Sequence, residues 1–271
     1  MMINKNRIKN HLLMVMVLAL AFAYGCKKDS PDLKSISLDK TTLSLYYDED
    51  YSFTVSYFPA DLKTPEYKWT SSNEKVATVD NAGKVNAVSV GEATITVKTT
   101  DNRLASECEV TVMPYSNLCK EPITEFGTSR ANIKNKETRT LCDETDETLL
   151  YYGENEKLRY CGYIIEAGKM TYGYLFLENS VPTYTEASTF LAERYTYVGE
   201  SEGILCYTNK IICVGLTYDD TLGYIAVYFP YTTSKQSDVK SVCNVLSAKK
   251  AELTAAWRRA TGLKPEERKK L

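Results

Sequence analysis

Between residues 34 and 113 apolar side chains recur at every second position, in short runs broken by turn-forming residues. Ile36, Leu38, Leu43 and Leu45 fit one face of two short strands, and Phe53, Val55 and Tyr57 keep the same period. Pro59, Pro65, Asn73, Asn81-Ala82-Gly83 and Gly91 punctuate the stretch at the roughly 8–12-residue rhythm of a β-sandwich. A strand that is apolar on one side must hide that side against a second sheet, so this pattern excludes a helical fold here. Trp69 is the large filler such a sandwich needs between its sheets. Val76, Val79, Val85, Ala87 and Val88, then Ile95, Val97, Val110 and Val112, complete the expected inner set.

Several motifs in this stretch fall in a recognisable order. Ser35-Ile36-Ser37-Leu38-Asp39 is followed by Trp69-Thr70-Ser71-Ser72-Asn73, Val76-Ala77-Thr78-Val79-Asp80 and Gly83-Lys84-Val85. Gly91-Glu92-Ala93-Thr94-Ile95-Thr96-Val97 and Cys108-Glu109-Val110-Thr111-Val112 close the series. Residues 34–113 thereby resemble the bacterial Ig-like domain, group 2. The resemblance implies a sandwich of about seven strands without an antibody-type disulfide, in agreement with Cys108 being the only cysteine of the stretch. It also implies use as a rigid spacer in a bacterial surface protein, and a fold of this kind does not by itself set a function.

Ahead of the sandwich, Lys5, Arg7 and Lys9 make a cationic start without an acidic residue, and an apolar run from Leu12 to Tyr24 follows. About 13 apolar residues are too few for a membrane-spanning helix, which needs roughly 20, and suit an export signal over residues 1–25. The closing Ala23-Tyr24-Gly25-Cys26, followed by polar Lys27-Lys28-Asp29-Ser30-Pro31, resembles the lipobox of bacterial lipoproteins. That resemblance implies cleavage before Cys26, lipid attachment to Cys26, a short linker over residues 26–33 and a place in the cell envelope. The expected location is the outer membrane, facing either the periplasm or the outside. Plain secretion with an incidental Cys26 is the other reading. His11 falls inside the expected signal and is the one histidine of the chain.

Residues 114–264 read as an α+β domain. Three segment pairs line up within it: 149–152 with 204–207, 158–161 with 210–213, and 173–177 with 223–227. Upstream, Ser129–Lys136 and Thr185–Arg194 occupy equivalent places, Arg139 matching Arg194, with Thr128-Ser129 and Thr185 as candidate helix N-caps. Each copy, about 128–178 and 183–231, reads as a helix followed by four antiparallel strands, and the two together as one sheet with helices on one face. The architecture is similar in outline to the β-lactamase-inhibitory protein fold. The stretch Tyr115–Leu118, Pro122 and Phe126–Ser129 resembles a domain recurrent in Bacteroidales lipoproteins, from which no activity carries over. Val239, Val242, Cys243, Leu246, Leu253, Ala256, Trp257 and Ala260 have the spacing of an amphipathic helix ended by Gly262 and Pro265, with a charged tail over 265–271.

The chemistry open to such a chain is narrow. Without the signal it holds no histidine, which excludes Ser-His-Asp and Cys-His catalysis and Cys/His metal sites. The cysteines at 108, 119, 142, 161, 206, 213 and 243 contain no C-x₂-C pair, and no glycine loop has the phosphate-cradling pattern, so no metal or cofactor is expected. Thirty-three Lys and Arg against 35 Asp and Glu leave no basic excess for nucleic acid. Seven mature cysteines read as buried thiols, with matching positions for Cys161 and Cys213, or as a partial disulfide set with one left over. The acidic pairs Asp143/Glu144, Asp146/Glu147 and Asp219/Asp220 are the catalytic candidates, and read as solvated turn residues.

The remaining signal is tyrosine: 15 of the 21 lie between residues 115 and 231. In the last strand of each copy, one parity carries Leu175, Leu177, Ile225, Val227 and Phe229. The other carries Tyr174, Phe176, Tyr224 and Tyr228. If the aliphatic parity meets the helices, Tyr174, Phe176, Tyr224 and Tyr228 look outward as a ligand-binding face, unless the C-terminal helix covers it. The expectation is a non-catalytic envelope lipoprotein: an Ig-like stalk presenting a domain that binds a glycan or a surface protein. A carboxylate-based glycan-processing enzyme and a purely structural envelope protein are the alternatives.

Overall fold

The computed structural model describes residues 32–220 and 222–231 and, beyond them, 244, 248, 253–255 and 258–259. The expected signal, Cys26 and the tail 265–271 lie outside the described residues. So do Val239, Val242, Cys243, Leu246, Ala256, Trp257 and Ala260 of the expected C-terminal helix. No described helix is long and apolar enough to cross a membrane.

Nine strands build the first domain: β1 Ser35–Leu38, β2 Thr42–Tyr46, β3 Asp50–Ser52, β4 Val55–Phe58, β5 Tyr67–Ser71, β6 Ala77–Val79, β7 Lys84–Ala87, β8 Gly91–Thr99 and β9 Ala105–Met113. A sheet in the order β2-β9-β8-β5 faces the smaller sheets β3-β7-β6 and β1-β4. The β2–β9 pair is parallel. Alternation works as the sequence requires: Ile95, Val97, Cys108, Val110 and Val112 point into one core with Ile36, Leu38, Leu43, Leu45, Phe53, Val76 and Val85, while their neighbours stay wet. Val88 departs from the expected inner set and is exposed, because the chain has already left β7 for the domain junction.

Trp69 lies flat against Phe53, ring centroids 6.0 Å apart and 19° between planes, and reaches across to the β6–β7 turn. That turn is tied by Asp80, whose Oδ1 accepts the amides of Ala82 at 2.8 Å and Lys84 at 2.9 Å. Gly83 holds φ +83°, and a Cβ on it would stand 2.5 Å from the Trp69 ring. Glycine is needed there twice over, for the left-handed backbone and for the indole.

The second domain follows a strap over residues 114–129. Helix α1, Arg130–Lys136, precedes β10 Leu141–Glu144, β11 Thr148–Tyr152, β12 Leu158–Glu166 and β13 Lys169–Leu177. Helix α2, Val181–Ala192, precedes β14 Thr196–Ser201, β15 Ile204–Thr208, β16 Ile212–Asp219 and β17 Gly223–Pro230. All eight strands join one antiparallel sheet in the order β10-β11-β12-β13-β17-β16-β15-β14, so the last strands of the two halves meet at its centre. Ser129 caps α1 by accepting the Asn132 amide. The α2 cap is Ser180, which accepts the Thr183 amide; the expected cap Thr185 is already inside the helix and donates its hydroxyl to Val181 O at 3.0 Å. Pro182 in the first turn marks the true start, where its missing amide costs nothing.

Both faces of this sheet are buried. Ile133 of α1 and Ala187, Phe190 and Leu191 of α2 cover Leu175, Leu177, Val214, Leu216 and Tyr228. On the other side Tyr174 and Phe176 pack with Ile225, Val227, Phe229 and Leu253, which belongs to the described part of the C-terminal helix. The Tyr174 ring lies over Gly162, its ladder partner, where a Cβ would stand 2.2 Å from Cζ. The matched thiols Cys161 and Cys213 fall on opposite faces.

Replacing Gly83 by Ala forces the indole of Trp69 to move and strains the turn. We expect a loss of about 1–3 kcal/mol for the first domain, read as a lowered denaturant midpoint; an unchanged midpoint would refute the tight Gly83–Trp69 contact.

Candidate functional site

The strap has no strand partner over most of its length, so its polar backbone atoms meet side chains instead. Lys120 N donates to Glu154 and Lys120 O accepts from Arg139 at 2.5 Å. Ile123 N donates to the Tyr163 phenol at 3.0 Å, which in turn donates to Glu137. Asn155 reaches Leu118 O at 2.7 Å. Arg139 is saturated by Glu137 and Glu154, and both it and Glu137 have almost no side-chain exposure. Glu121 accepts from the Tyr195 phenol at 2.8 Å; burial raises its carboxyl pKa, and Tyr195 and Arg194 offset only part of that rise. Next to this belt, burial pushes the Cys161 thiol up to about 12, which keeps it protonated and unreactive. The cluster holds a chain segment in place.

The structure corrects the expected tyrosine face. Tyr174, Phe176 and Tyr228 are 0% exposed, with Tyr174 and Phe176 under Leu253 and Tyr228 among the helix-side residues; of the four, Tyr224 alone is half-buried. The reason is the central ladder. Tyr174 pairs with Val227 and Leu175 with Ala226, so even-numbered residues of β13 share a face with odd-numbered residues of β17, not with even ones. The acidic pairs also separate. Asp143 is held by Arg259 at 3.0 Å, Glu144 by Lys134 at 2.7 Å, and Asp219 caps the Leu222 amide at 3.0 Å. Asp146 and Glu147 border a shallow cavity of about 350 Å³ with Glu166.

Tyr224 nevertheless belongs to an aromatic group that lies open to solvent at the start of α2. It stacks on Tyr184 with ring centroids 4.8 Å apart and meets Tyr218 edge-on at 5.1 Å. Tyr197 meets Tyr207 at 5.5 Å. Tyr218 and Tyr224 are ladder partners, as are Tyr197 and Tyr207, so each pair stands on one face; Tyr184 reaches the group from the helix. Tyr197 is 50% and Tyr218 48% exposed. Burial, then the neighbouring Glu200 carboxylate, raises the Tyr184 phenol pKa. Tyr184, Tyr197 and Tyr218 lie outside the two strands whose parity marks the expected face; Tyr218 beside the Asp219-Asp220 turn is the signal the sequence offers.

A family model for the bacterial Ig-like domain (group 2) matches residues 32–112. These residues are a bacterial Ig-like domain of group 2. Four curated relatives match part of the chain, two of them with an enzyme's name. One is a polysaccharide lyase 8 family protein, HylA, of Enterococcus faecalis, 31% identical over 87 residues, which are 32% of this chain and 6% of that protein. The other is an A type blood N-acetyl-α-D-galactosamine deacetylase of Flavonifractor plautii, 34% identical over 97 residues, 35% of this chain and 12% of that protein. The chain thus spans a small fraction of both relatives. Among solved structures, domains 4 and 5 of the S-layer protein SbsC match with 26% identity and TM-score 0.27, over 31% of this chain and 47% of that one.

The Ig-like domain meets its neighbour at Glu193, the C-cap of α2, whose side chain is 1% exposed. Its carboxylate accepts the amides of Tyr115 at 2.8 Å and Ser116 at 3.2 Å. Its carbonyl accepts Val90 N of the Ig-like domain at 2.8 Å, and Ser89 donates to the next carbonyl, Arg194 O, at 3.2 Å. Tyr46 of the Ig-like domain stacks on Tyr115 at 4.8 Å. Glu193→Ala leaves two amides without their charged acceptor. We expect a stability loss of about 1–3 kcal/mol and faster hydrogen exchange at Tyr115 and Ser116; exchange at the parental rate would show that Glu193 does not hold the strap.

Proposed function

We propose that this chain is a non-catalytic cell-envelope lipoprotein, tethered through Cys26, in which the Ig-like domain is a stalk and the second domain binds a glycan or protein ligand. The observation that carries the binding reading is the open tyrosine group Tyr184, Tyr197, Tyr218 and Tyr224, which takes over the role expected of Tyr174, Phe176 and Tyr228. Exposed rings with phenol hydroxyls offer flat apolar contact and a hydrogen bond at once. The names of two curated relatives, a polysaccharide lyase family protein and an N-acetylgalactosamine deacetylase, support carbohydrate surroundings for chains that share this similarity. The engagement of Asp143 by Arg259 and of Glu144 by Lys134 supports the non-catalytic side of the reading. We also read the two halves of the second domain as copies of one unit, supported by the helix caps Ser129 and Ser180, each followed by a helix and four strands.

Retention of the full chain on immobilised glycans and surface proteins tests the binding site. Tyr218→Ala and Tyr197→Ala are each expected to cut retention about tenfold with the melting temperature unchanged, since both rings are half out in water; equal retention of parent and variants would sink the assignment. The tether is tested separately by fractionation. Cys26→Ser is expected to move the protein from the membrane to the soluble fraction and to abolish fatty-acid labelling, and a variant that stays in the membrane would overturn the lipid anchor.

A further inference from the structure

The open tyrosine group sits in a strongly acidic part of the chain. Residues 178–231 carry seven Asp and Glu against two cations, Arg194 and Lys210. Arg194 is turned inward, its guanidinium 3.8 Å from the centroid of the Phe190 ring and 3.4 Å from Glu193. Lys210 lies in the β15–β16 turn, at the opposite end of β16 from the β16–β17 turn and beyond the Thr196–Thr208 pair that opens the β14 ladder. Two carboxylates flank the rings instead. Glu200 is exposed on β14 and lies close enough to Tyr184 to act on its phenol. Asp220 is exposed in the turn that joins Tyr218 to Tyr224. The ion pairs of the described residues in this half, Lys157–Glu186, Arg194–Glu193 and Arg194–Glu121, leave Glu200 and Asp220 out.

An aromatic face carries partial negative charge, so a ring and a nearby carboxylate attract the same kind of ligand group: a cation with an apolar stem. A neutral sugar uses the rings and gains nothing from Glu200 or Asp220; an arginine or lysine side chain uses both. We propose that this surface binds a basic peptide segment of a partner protein, with Arg or Lys stems laid on Tyr218 and Tyr197 and the charged ends directed to Asp220 and Glu200. Tyr218, Tyr224 and Tyr184 form one run of rings with centroids 5.1 and 4.8 Å apart. The inference rests on the binding reading above and narrows it to one partner class.

Calorimetry with the full chain and a blocked Gly-Arg-Gly-Arg-Gly peptide tests it, beside a citrulline twin of the same shape without charge and a neutral oligosaccharide. The arginine peptide is expected to bind at least about tenfold more tightly than the citrulline twin and to weaken with added salt. Tyr218→Ala and Glu200→Gln are expected to weaken it about three- to tenfold, and Tyr218→Phe, which keeps the ring, to bind as the parent does; circular dichroism confirms that each variant is folded. Equal binding of the two peptides, or no effect of Glu200→Gln, overturns the cationic partner. Oligosaccharide binding that depends on Tyr218 without any peptide binding overturns it too, and leaves the binding reading standing. Failure of every ligand overturns both.

Discussion

Glu193, buried at the end of α2, joins the second domain to the strap through its carboxylate and to the Ig-like domain through its carbonyl. Glu193 closes the helix, takes two amides from the strap and, through its carbonyl, one from the Ig-like domain. A charged acceptor is strong enough to hold backbone donors away from water where a neutral one gives little. Everything downstream on the strap depends on that start. Once Tyr115 and Ser116 are fixed, Leu118, Lys120 and Ile123 arrive in front of Asn155, Arg139, Glu154 and Tyr163, and a segment without ladder bonds lies across a sheet with its polar atoms met. Removing one member of that set exposes the others, which is why Arg139 and Glu137 tolerate deep burial only as a pair.

The two domains differ in how much of them the sequence discloses, for a physical reason. In the Ig-like domain each strand is wet on one side, so alternation reports the face directly, and Ile36, Leu38, Leu43 and Leu45 are read correctly one by one. In the second domain β12, β13, β16 and β17 are buried on both sides over most of their length. Apolar residues then follow one another without a break, and parity says only that two residues differ in face, never which face is inside. The relation between β13 and β17 is set by the register of their ladder, which no local pattern contains. Tyr174 and Tyr228 were placed together on that missing information and lie on opposite sides of the sheet. The helix caps were more legible: Ser129 was visible, while Ser180 was hidden by the Val181-Pro182 that follows it.

Tyrosine serves two ends here. In the core it fills volume and carries a hydroxyl to buried polar partners, as Tyr163 does for Glu137, Tyr195 for Glu121 and Tyr207 for Ser188. Tyr151, Tyr174 and Tyr228 fill volume without such a partner among the described residues, at the expense of a desolvated phenol. High tyrosine content is therefore mainly a property of a sheet covered on both faces. The most exposed rings stand at the margin of the sheet, Tyr197 on the outer strand β14 and Tyr218 near the end of β16.

The edges of the sheet bear on what such a site can accept. Both outer strands are irregular: the β10 ladder slips between Leu141 and Asp143, and the β14 ladder between Tyr197 and Gly199. A bulge at an edge turns the unpaired backbone groups out of line and discourages another strand from adding to it. In β14 the extra residue is the exposed Val198, directly after Tyr197, so the position that disrupts strand pairing adjoins one that offers a ring to solvent. A ligand arriving there meets side chains before it meets backbone. The proposed recognition at this end of the domain would therefore run through rings and the carboxylate of Glu200, and extension of the sheet by a ninth strand is the outcome this edge discourages.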